Sequence, residues 1–353
     1  MDNGLYGARE KLGLLERLAQ GPVICAEGYL FEFERRGYLQ AGAYVPEVVL
    51  EHPELVAQLH REFVHAGSDV VEAFTYYAHR EKLRLIGKEH LIEEMNRQAL
   101  VIAKEVAAES GALFAGNICN TNVFTGDEES KRSVRSMFEE QVGWAVDAGA
   151  DLIIGETFSW GEEALIALDV IRRSGKPSVI TLAIHQQPET REGWSPADAC
   201  VRLEDAGADV VGLNCIRGPE TLLPLLRSIR AKVKGHVAAL PVPYRTRDEE
   251  PSFQSLRDPN YSEVPGGRAF PTALDPFVCN RYEIADFAKE AFDLGIQYLG
   301  VCCGAGPHHI RAMAEALGRT PPASRFSPDM SKHAFLGADP PLKKENLEYA
   351  RDL

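Results

Sequence analysis

The segment Ala148-Gly149-Ala150-Asp151-Leu152-Ile153-Ile154-Gly155-Glu156 decides the fold. A helical stretch closes on a small residue and a glycine, and an apolar run begins almost at once. Glycine just past a helix end suits the left-handed C-cap. An apolar run behind so short a loop reads as a strand buried on both faces, as in wound α/β units. The phrase recurs at Ala66-Gly67-Ser68-Asp69-Val70-Val71-Glu72 and at Ala206-Gly207-Ala208-Asp209-Val210-Val211-Gly212-Leu213-Asn214. A weaker copy runs from Leu294-Gly295 to Val301.

Outward from these phrases the chain offers eight candidate strands, at 22–28, 68–76, 112–118, 151–158, 178–184, 208–215, 236–243 and 296–303. A helical pattern follows each, at 47–66, 91–110, 132–148, 161–174, 196–206, 219–232, 281–294 and 308–317. Pro196 and Pro219 stand in first helical turns, where a missing N–H costs nothing. Eight alternating units predict an α/β fold of the (β/α)8 (TIM) barrel type. A doubly wound open sheet is the alternative, and it would ordinarily use fewer strands. The expected barrel occupies residues 1–317, with a Pro-rich polar tail at 318–353. Residues 244–280, after the seventh strand, form a connection too long for the pattern. Such loops often cover a site.

Composition narrows the class. The chain has 353 residues, 45% of them hydrophobic, enough for a large core. Lys plus Arg number 38 against 52 Asp plus Glu, a net charge of −14. That predicts no nucleic-acid partner and no anionic membrane surface, since both need a basic footprint. No run of 18 apolar residues and no apolar leader core is seen. Seven cysteines fall outside any small secreted framework. The expectation is a cytoplasmic protein whose thiols stay reduced or bind metal. A monomer and a homo-oligomer are both compatible with the sequence.

Barrel sites lie at the C-terminal strand ends. Those ends hold Glu27-Gly28, Phe74 to Tyr77, Asn117, Glu156-Thr157, His185, Asn214-Cys215, Pro241 to Tyr244 and Cys302-Cys303. A cysteine in an apolar strand is often only a small hydrophobe. Here, however, the sixth and eighth strand tips share one mouth, and Gly304 and Gly306 free the backbone beside Cys302 and Cys303. Cys215, Cys302 and Cys303 are therefore expected to bind Zn2+, leaving one position open. Three thiolates make zinc a poor activator of water but a good holder of a fourth sulfur. The chemistry expected is alkylation of a thiol substrate. A barrel metallohydrolase would instead favour His and carboxylate ligands. Asn214 is expected to orient the site through its amide. His185 is open between donor binding and a structural role.

The motifs Gly212-Leu213-Asn214-Cys215 and Gly300-Val301-Cys302-Cys303-Gly304 resemble the paired zinc motifs of the homocysteine S-methyltransferase family. Phe33 to Tyr38, Glu51 to Glu54, Leu59 to Phe63, Phe74 to Tyr77 and Pro307 to Arg311 resemble its betaine–homocysteine branch. The likeness spans about Gly21 to Leu317. It implies a zinc-dependent (β/α)8 enzyme that methylates homocysteine to methionine from a betaine-like onium donor. Cys215, Cys302 and Cys303 match the zinc ligands. Glu156 matches the acid that holds the homocysteine amino group, and Tyr77 matches an aromatic of the betaine pocket. Tyr44 stands where that branch has Trp. Two departures are plain. The first-strand turn reads Cys25-Ala26-Glu27-Gly28, placing the acid one residue later than the family's Asp, and Thr157 replaces a Tyr.

Methyl donors for thiolates are onium compounds, because the leaving group must depart neutral, and aromatic faces recognise them. Tyr29, Tyr44, Phe74, Tyr76 and Tyr77 are the candidates, with Trp160 and Tyr244 behind them. A sulfonium donor such as S-methylmethionine or dimethylsulfoniopropionate would fit the same cage. A non-catalytic zinc or small-molecule binding barrel is the alternative outside enzymology.

Overall fold

The computed structural model describes residues 11–260, 265–333, 337–338, 340–349 and 351. Residues 1–10 of the expected barrel, 261–264 of the expected loop, and 334–336, 339, 350 and 352–353 of the expected tail lie outside the described residues. Eight parallel strands close in sequence order into a barrel. They are β1 (Val23–Ala26), β2 (Val70–Glu72), β3 (Leu113–Cys119), β4 (Leu152–Phe158), β5 (Ser178–Leu182), β6 (Val210–Asn214), β7 (His236–Leu240) and β8 (Tyr298–Val301). The (β/α)8 expectation holds. β6 and β8 are shorter than their apolar runs, so Cys215, Cys302 and Cys303 lie just beyond the last ladder residue.

The recurring phrase has a structural cause. Gly67, Gly149 and Gly207 each take a positive φ after a helix end. The Asp two residues later caps the preceding strand. Asp69 Oδ2 accepts from Ile24 N at 2.8 Å, Asp151 Oδ2 from Phe114 N at 2.7 Å, and Asp209 Oδ2 from Ser178 N at 2.8 Å. Each carboxylate satisfies a strand N–H at the barrel floor that would otherwise lack a partner. Arg319 forks onto Asp69 at 2.6 and 2.7 Å and so ties the chain beyond the last barrel helix to that floor.

Strand parity separates two cores. Val23, Cys25, Val70, Leu113, Ala115, Leu152, Ile154, Val179, Val210, Ala238, Leu240 and Tyr298 fill the barrel, closed below by Leu14 and Leu18 of helix Leu14–Gln20. The alternate residues, Ile24, Val71, Phe114, Ile153, Ile180, Val211, Val237 and Leu299 among them, pack outward on the helices. The next in-phase positions up the barrel are Glu27, Glu72, Asn117, Glu156, Asn214 and Cys302. A period of two thus sets a polar layer on top of an apolar one.

Besides the added helix Leu14–Gln20, the helices depart from expectation in two ways within the barrel. The stretch 47–66 breaks into Val48–Glu51 and Pro53–Ala66. Pro53 has no N–H and disfavours a helical His52, which sits at φ −142° and ψ 60°. Two further helices, Tyr29–Arg35 and Arg80–Leu85, fold within the first two strand-to-helix connections. Among the described residues, no helix is long and apolar enough to cross a membrane.

Candidate active site

Three cysteine sulfurs meet where the β6 and β8 tips approach each other. The Sγ atoms of Cys215, Cys302 and Cys303 all lie within 4.8 Å of one another, and Cys302 Sγ is 3.9 Å from Cys303 Sγ. Sulfurs at about 2.3 Å from a tetrahedral zinc stand roughly 3.8 Å apart, so this spacing fits that ion. Cys215 and Cys302 are buried and Cys303 is half-buried. Hydrogen bonds from the Cys302 and Cys303 thiols hold the Cys215 thiol well below its ordinary range. Burial holds Cys302 well above that range, and the Cys215 contact does the same for Cys303. Soft all-sulfur donors favour zinc over hard cations. The other four cysteines are unpaired, and none joins this cluster.

Beside the sulfurs lie three buried carboxylates. Asn117 Nδ2 donates to Glu72 Oε1 at 2.6 Å and to Glu156 Oε1 at 2.7 Å. Asn214 Nδ2 donates to Glu156 Oε2 at 2.7 Å, lies 2.9 Å from Thr157 Oγ1, and reaches Glu27 Oε2 at 3.2 Å. Thr157 returns its own N–H to Asn214 Oδ1 at 2.9 Å. One ligand atom each from Glu27, Glu156 and Cys302 lies within 4.8 Å of the others. The displaced first-strand acid therefore reaches the site. Glu27 Oε1 is buried with no hydrogen-bond partner among the described residues.

Among the described residues, no Lys or Arg bonds these carboxylates. Burial, followed by the charge of Glu156, pushes Glu27 and Glu72 well above the carboxylate range. Burial lifts Glu156 to about 7, against hydrogen bonds from Asn117, Thr157 and Asn214 that favour its ionised form. Such a pocket is complementary to a cation that brings its own N–H donors.

A cavity of about 250 Å³ opens above the sulfurs. Cys215, Cys303, Tyr44, Tyr76 and Tyr77 line it, with Phe31 and with Phe253 and Phe270 of the long loop. A smaller space of about 20 Å³ lies beneath, between Glu27, Glu72, Glu156 and Cys302. A groove of about 550 Å³ on the outer wall, between Pro53–Ala66 and Pro307–Ala316, holds none of the candidate residues. Backbone strain marks the inner cavity independently. Among the described residues the non-glycine positive-φ positions are Tyr44, Tyr77, Asn122, Thr157, Cys215 and Ile216, and all six line it. Such conformations cost about 1–3 kcal/mol each and collect at functional sites.

Gly28 contributes by what it lacks, since a Cβ there would come within 2.5 Å of Ala305 O and push the turn after β8 away. His185 lines the cavity, its Nε2 2.9 Å from Ser159 Oγ. His309 caps its own helix, bonding Gly306 N and Cys279 O.

The expected aromatic set needs correcting. Tyr44, Tyr76 and Tyr77 line the cavity, Tyr29 and Phe74 line the smaller space beneath it, and Trp160 and Tyr244 line neither. Tyr29 packs edge-on against His60 and Phe63, and Phe74 stacks on Phe33. Trp160 meets Phe124, and the Tyr244 hydroxyl accepts from Arg35 Nη2 at 2.9 Å. A place near the mouth did not fix which way each ring turned. Glu72, Phe31, Phe253 and Phe270 were missed. Parity from Val70 would have found Glu72, but nothing local marks the other three.

Fold and site define a class: a (β/α)8 barrel enzyme whose mouth carries a three-cysteine cluster able to hold a metal ion. A sequence model of the homocysteine S-methyltransferase family matches residues 28–317, and the chain belongs to that family of methyltransferases. It is 38% identical over 338 residues to betaine–homocysteine S-methyltransferase 1 of Xenopus tropicalis, covering 93% of this chain and 80% of the relative. An S-methylmethionine–homocysteine S-methyltransferase of Pongo abelii is 36% identical over 339 residues, covering 93% and 87%. A homocysteine methyltransferase of Escherichia coli, solved in a metallated form, superposes with a TM-score of 0.65. It is 17% identical and covers 85% of this chain and 98% of its own, a likeness of fold.

Proposed function

We propose that this protein is a zinc-dependent enzyme that transfers a methyl group from a betaine-like onium donor to the sulfur of homocysteine, giving methionine. One observation carries the reading. Three cysteine sulfurs stand against three buried carboxylates that have no basic partner among the described residues. That pair of features complements a small molecule carrying both a thiol and an ammonium group. Cys215, Cys302 and Cys303 would hold the zinc ion, and what it supplies when bound is a deprotonated acceptor sulfur at neutral pH.

The chain's own residues do the rest. Glu156, with Glu27 and Glu72, receives the acceptor's ammonium, and Asn117 and Asn214 fix the carboxylate planes. Gly28 lets the turn after β8 approach. Tyr44 and Tyr77, with Tyr76, Phe31 and the loop phenylalanines, offer π faces to the onium head. In the transfer the donor's methyl–nitrogen bond breaks as the methyl–sulfur bond forms, and the bonding pair stays on the departing amine. No general base is required of the chain, so positioning dominates. The relatives named for betaine and for S-methylmethionine support an onium donor of either kind. We assign the reaction to the barrel at 1–317, with 318–353 as a tail. The setting we propose is the reducing cytoplasm, where all seven thiols persist.

The test supplies zinc-loaded protein with homocysteine and, separately, betaine, dimethylsulfoniopropionate and S-methylmethionine, with methionine read by mass. Methionine from at least one donor is expected. None from all three would overturn the reading. Cys303→Ser should lose bound zinc and, relative to the parent, at least about a hundredfold in rate.

A further inference from the structure

The donor end of the cavity carries a feature that onium recognition leaves unused. Among the described residues lining it, Arg191 is the sole Lys or Arg, and no Asp or Glu lines it. A bare cation is repelled by Arg191 and draws only on the aromatic faces. A second arginine nearby is already committed. Arg217 donates from Nε to Ile184 O at 3.1 Å and from Nη2 to His185 O at 2.6 Å. Arg191, by contrast, makes no side-chain hydrogen bond or ion pair among the described residues. Glu163, an acid that feels the charge of Arg191, is held by Thr121 through N at 2.9 Å and Oγ1 at 2.6 Å.

The Arg191 backbone is fixed. Its N–H donates to Ser159 O at 2.9 Å, and Thr190 and Trp194 close the turn with a 2.9 Å bond. Glu192 Oε1 accepts from Glu162 N at 2.8 Å on the far side. His185 lines the same cavity as Arg191 and Cys215 and feels the charge of both. A ligand in this cavity with its onium group over the sulfurs can therefore meet a guanidinium with its tail.

We propose that Arg191 is the anion anchor of the donor site, pairing with the carboxylate, or comparable oxyanion, that a betaine-like donor carries a short chain away from its onium centre. The proposal rests on the methyl-transfer reading above. Arg191 holds the tail, the tyrosines hold the head, and the transferable methyl is directed toward the sulfurs. Arg191 is thus a specificity residue, and its fork geometry suits a carboxylate better than a point charge does.

The experiment compares matched donors on the zinc-loaded enzyme with homocysteine saturating. Trimethylglycine is paired with choline, and dimethylsulfoniopropionate with trimethylsulfonium, so that only the anionic tail differs. Wild type should favour the zwitterion of the active pair by about tenfold or more in kcat/KM. Arg191→Ala should raise that zwitterion's KM by roughly ten- to hundredfold. It should leave kcat and the homocysteine KM within about twofold, and Arg191→Lys should recover part of the loss. An unmoved zwitterion KM in Arg191→Ala, with wild-type turnover intact, overturns the anchor and leaves the methyl-transfer reading standing. Absence of methionine from every donor with wild type overturns that reading and the anchor with it.

Discussion

The amide of Asn214 illustrates how little redundancy the polar layer has. An asparagine offers two N–H donors and one carbonyl. Here the donors face Glu156 Oε2 and Thr157 Oγ1, with Glu27 Oε2 and Cys302 Sγ at the margin, and the carbonyl takes Thr157 N. Thr157 has φ +62°, a conformation that needs such support. Asn214→Ala would orphan a buried N–H and remove a donor from Glu156 at once. Losing a hydrogen bond to a charged group costs about 1.5–3 kcal/mol. The homocysteine KM should therefore rise by roughly ten- to a hundredfold, with a smaller change in kcat. Steady-state kinetics with homocysteine varied measures this, and an unchanged KM would remove Asn214 from the acceptor site. Asn214→Asp should be worse, because it adds a fourth carboxylate where three already repel.

At the scale of elements, the turns after the strands carry the chemistry. The turn after β8 depends on Gly304, whose φ is +95°, and a Cβ there would fall 2.3 Å from the Tyr244 hydroxyl. Tyr244 is itself fully buried, stacked on Phe253 and hydrogen-bonded by Arg35. It has no room to yield. Gly304→Ala keeps all three cysteines but must displace either the ring or the strand tip that sets Cys302 and Cys303. The left-handed conformation alone costs a non-glycine residue about 1–2 kcal/mol. Purified Gly304→Ala should hold clearly less zinc per chain than the parent at equal zinc, with a lower melting temperature. Full zinc content would show that the turn is softer than its packing implies. These elements also show what could be read in advance. The Gly-x-Asp phrase exposed the strands because it records a physical requirement, a left-handed cap followed by a carboxylate for the neighbouring strand's N–H. The cysteines and Glu156 followed from strand ends. Tyr29–Arg35 went unseen because a two-turn helix has too little periodicity to register. Phe253 and Phe270 arrive from a loop whose path is set by tertiary packing, and Arg191 sits in a turn with no regular spacing.

Across the whole molecule, the inner barrel and its helical coat meet along a seam that contains an unusual histidine. His60 is fully buried on Pro53–Ala66 against Tyr29, and both of its ring nitrogens lack hydrogen-bond partners among the described residues. Burial lowers its pKa to about 3. His79 and His309 are held down to about 4, again chiefly by burial. An unfolded histidine takes a proton below about pH 6.5, while the folded His60 does so only near 3. The unfolded chain thus binds more protons between those values, and stability falls as pH falls. The contribution is fully present above about 6.5 and is lost toward 3, at roughly 1.4 kcal/mol per pH unit for His60 alone. The net charge of −14 acts the other way, since protonating surface acids relieves self-repulsion on acidification. A variant comparison cancels that background. His60→Phe keeps an aromatic ring against Tyr29 and removes two unsatisfied nitrogens, so at pH 7 it should be neutral or mildly stabilising. Between pH 6.5 and 5 the parent should lose about 2 kcal/mol more than the variant. Urea midpoints taken at both pH values for both proteins measure the difference. Equal losses would mean that His60 is already protonated, or already solvated, in the folded barrel.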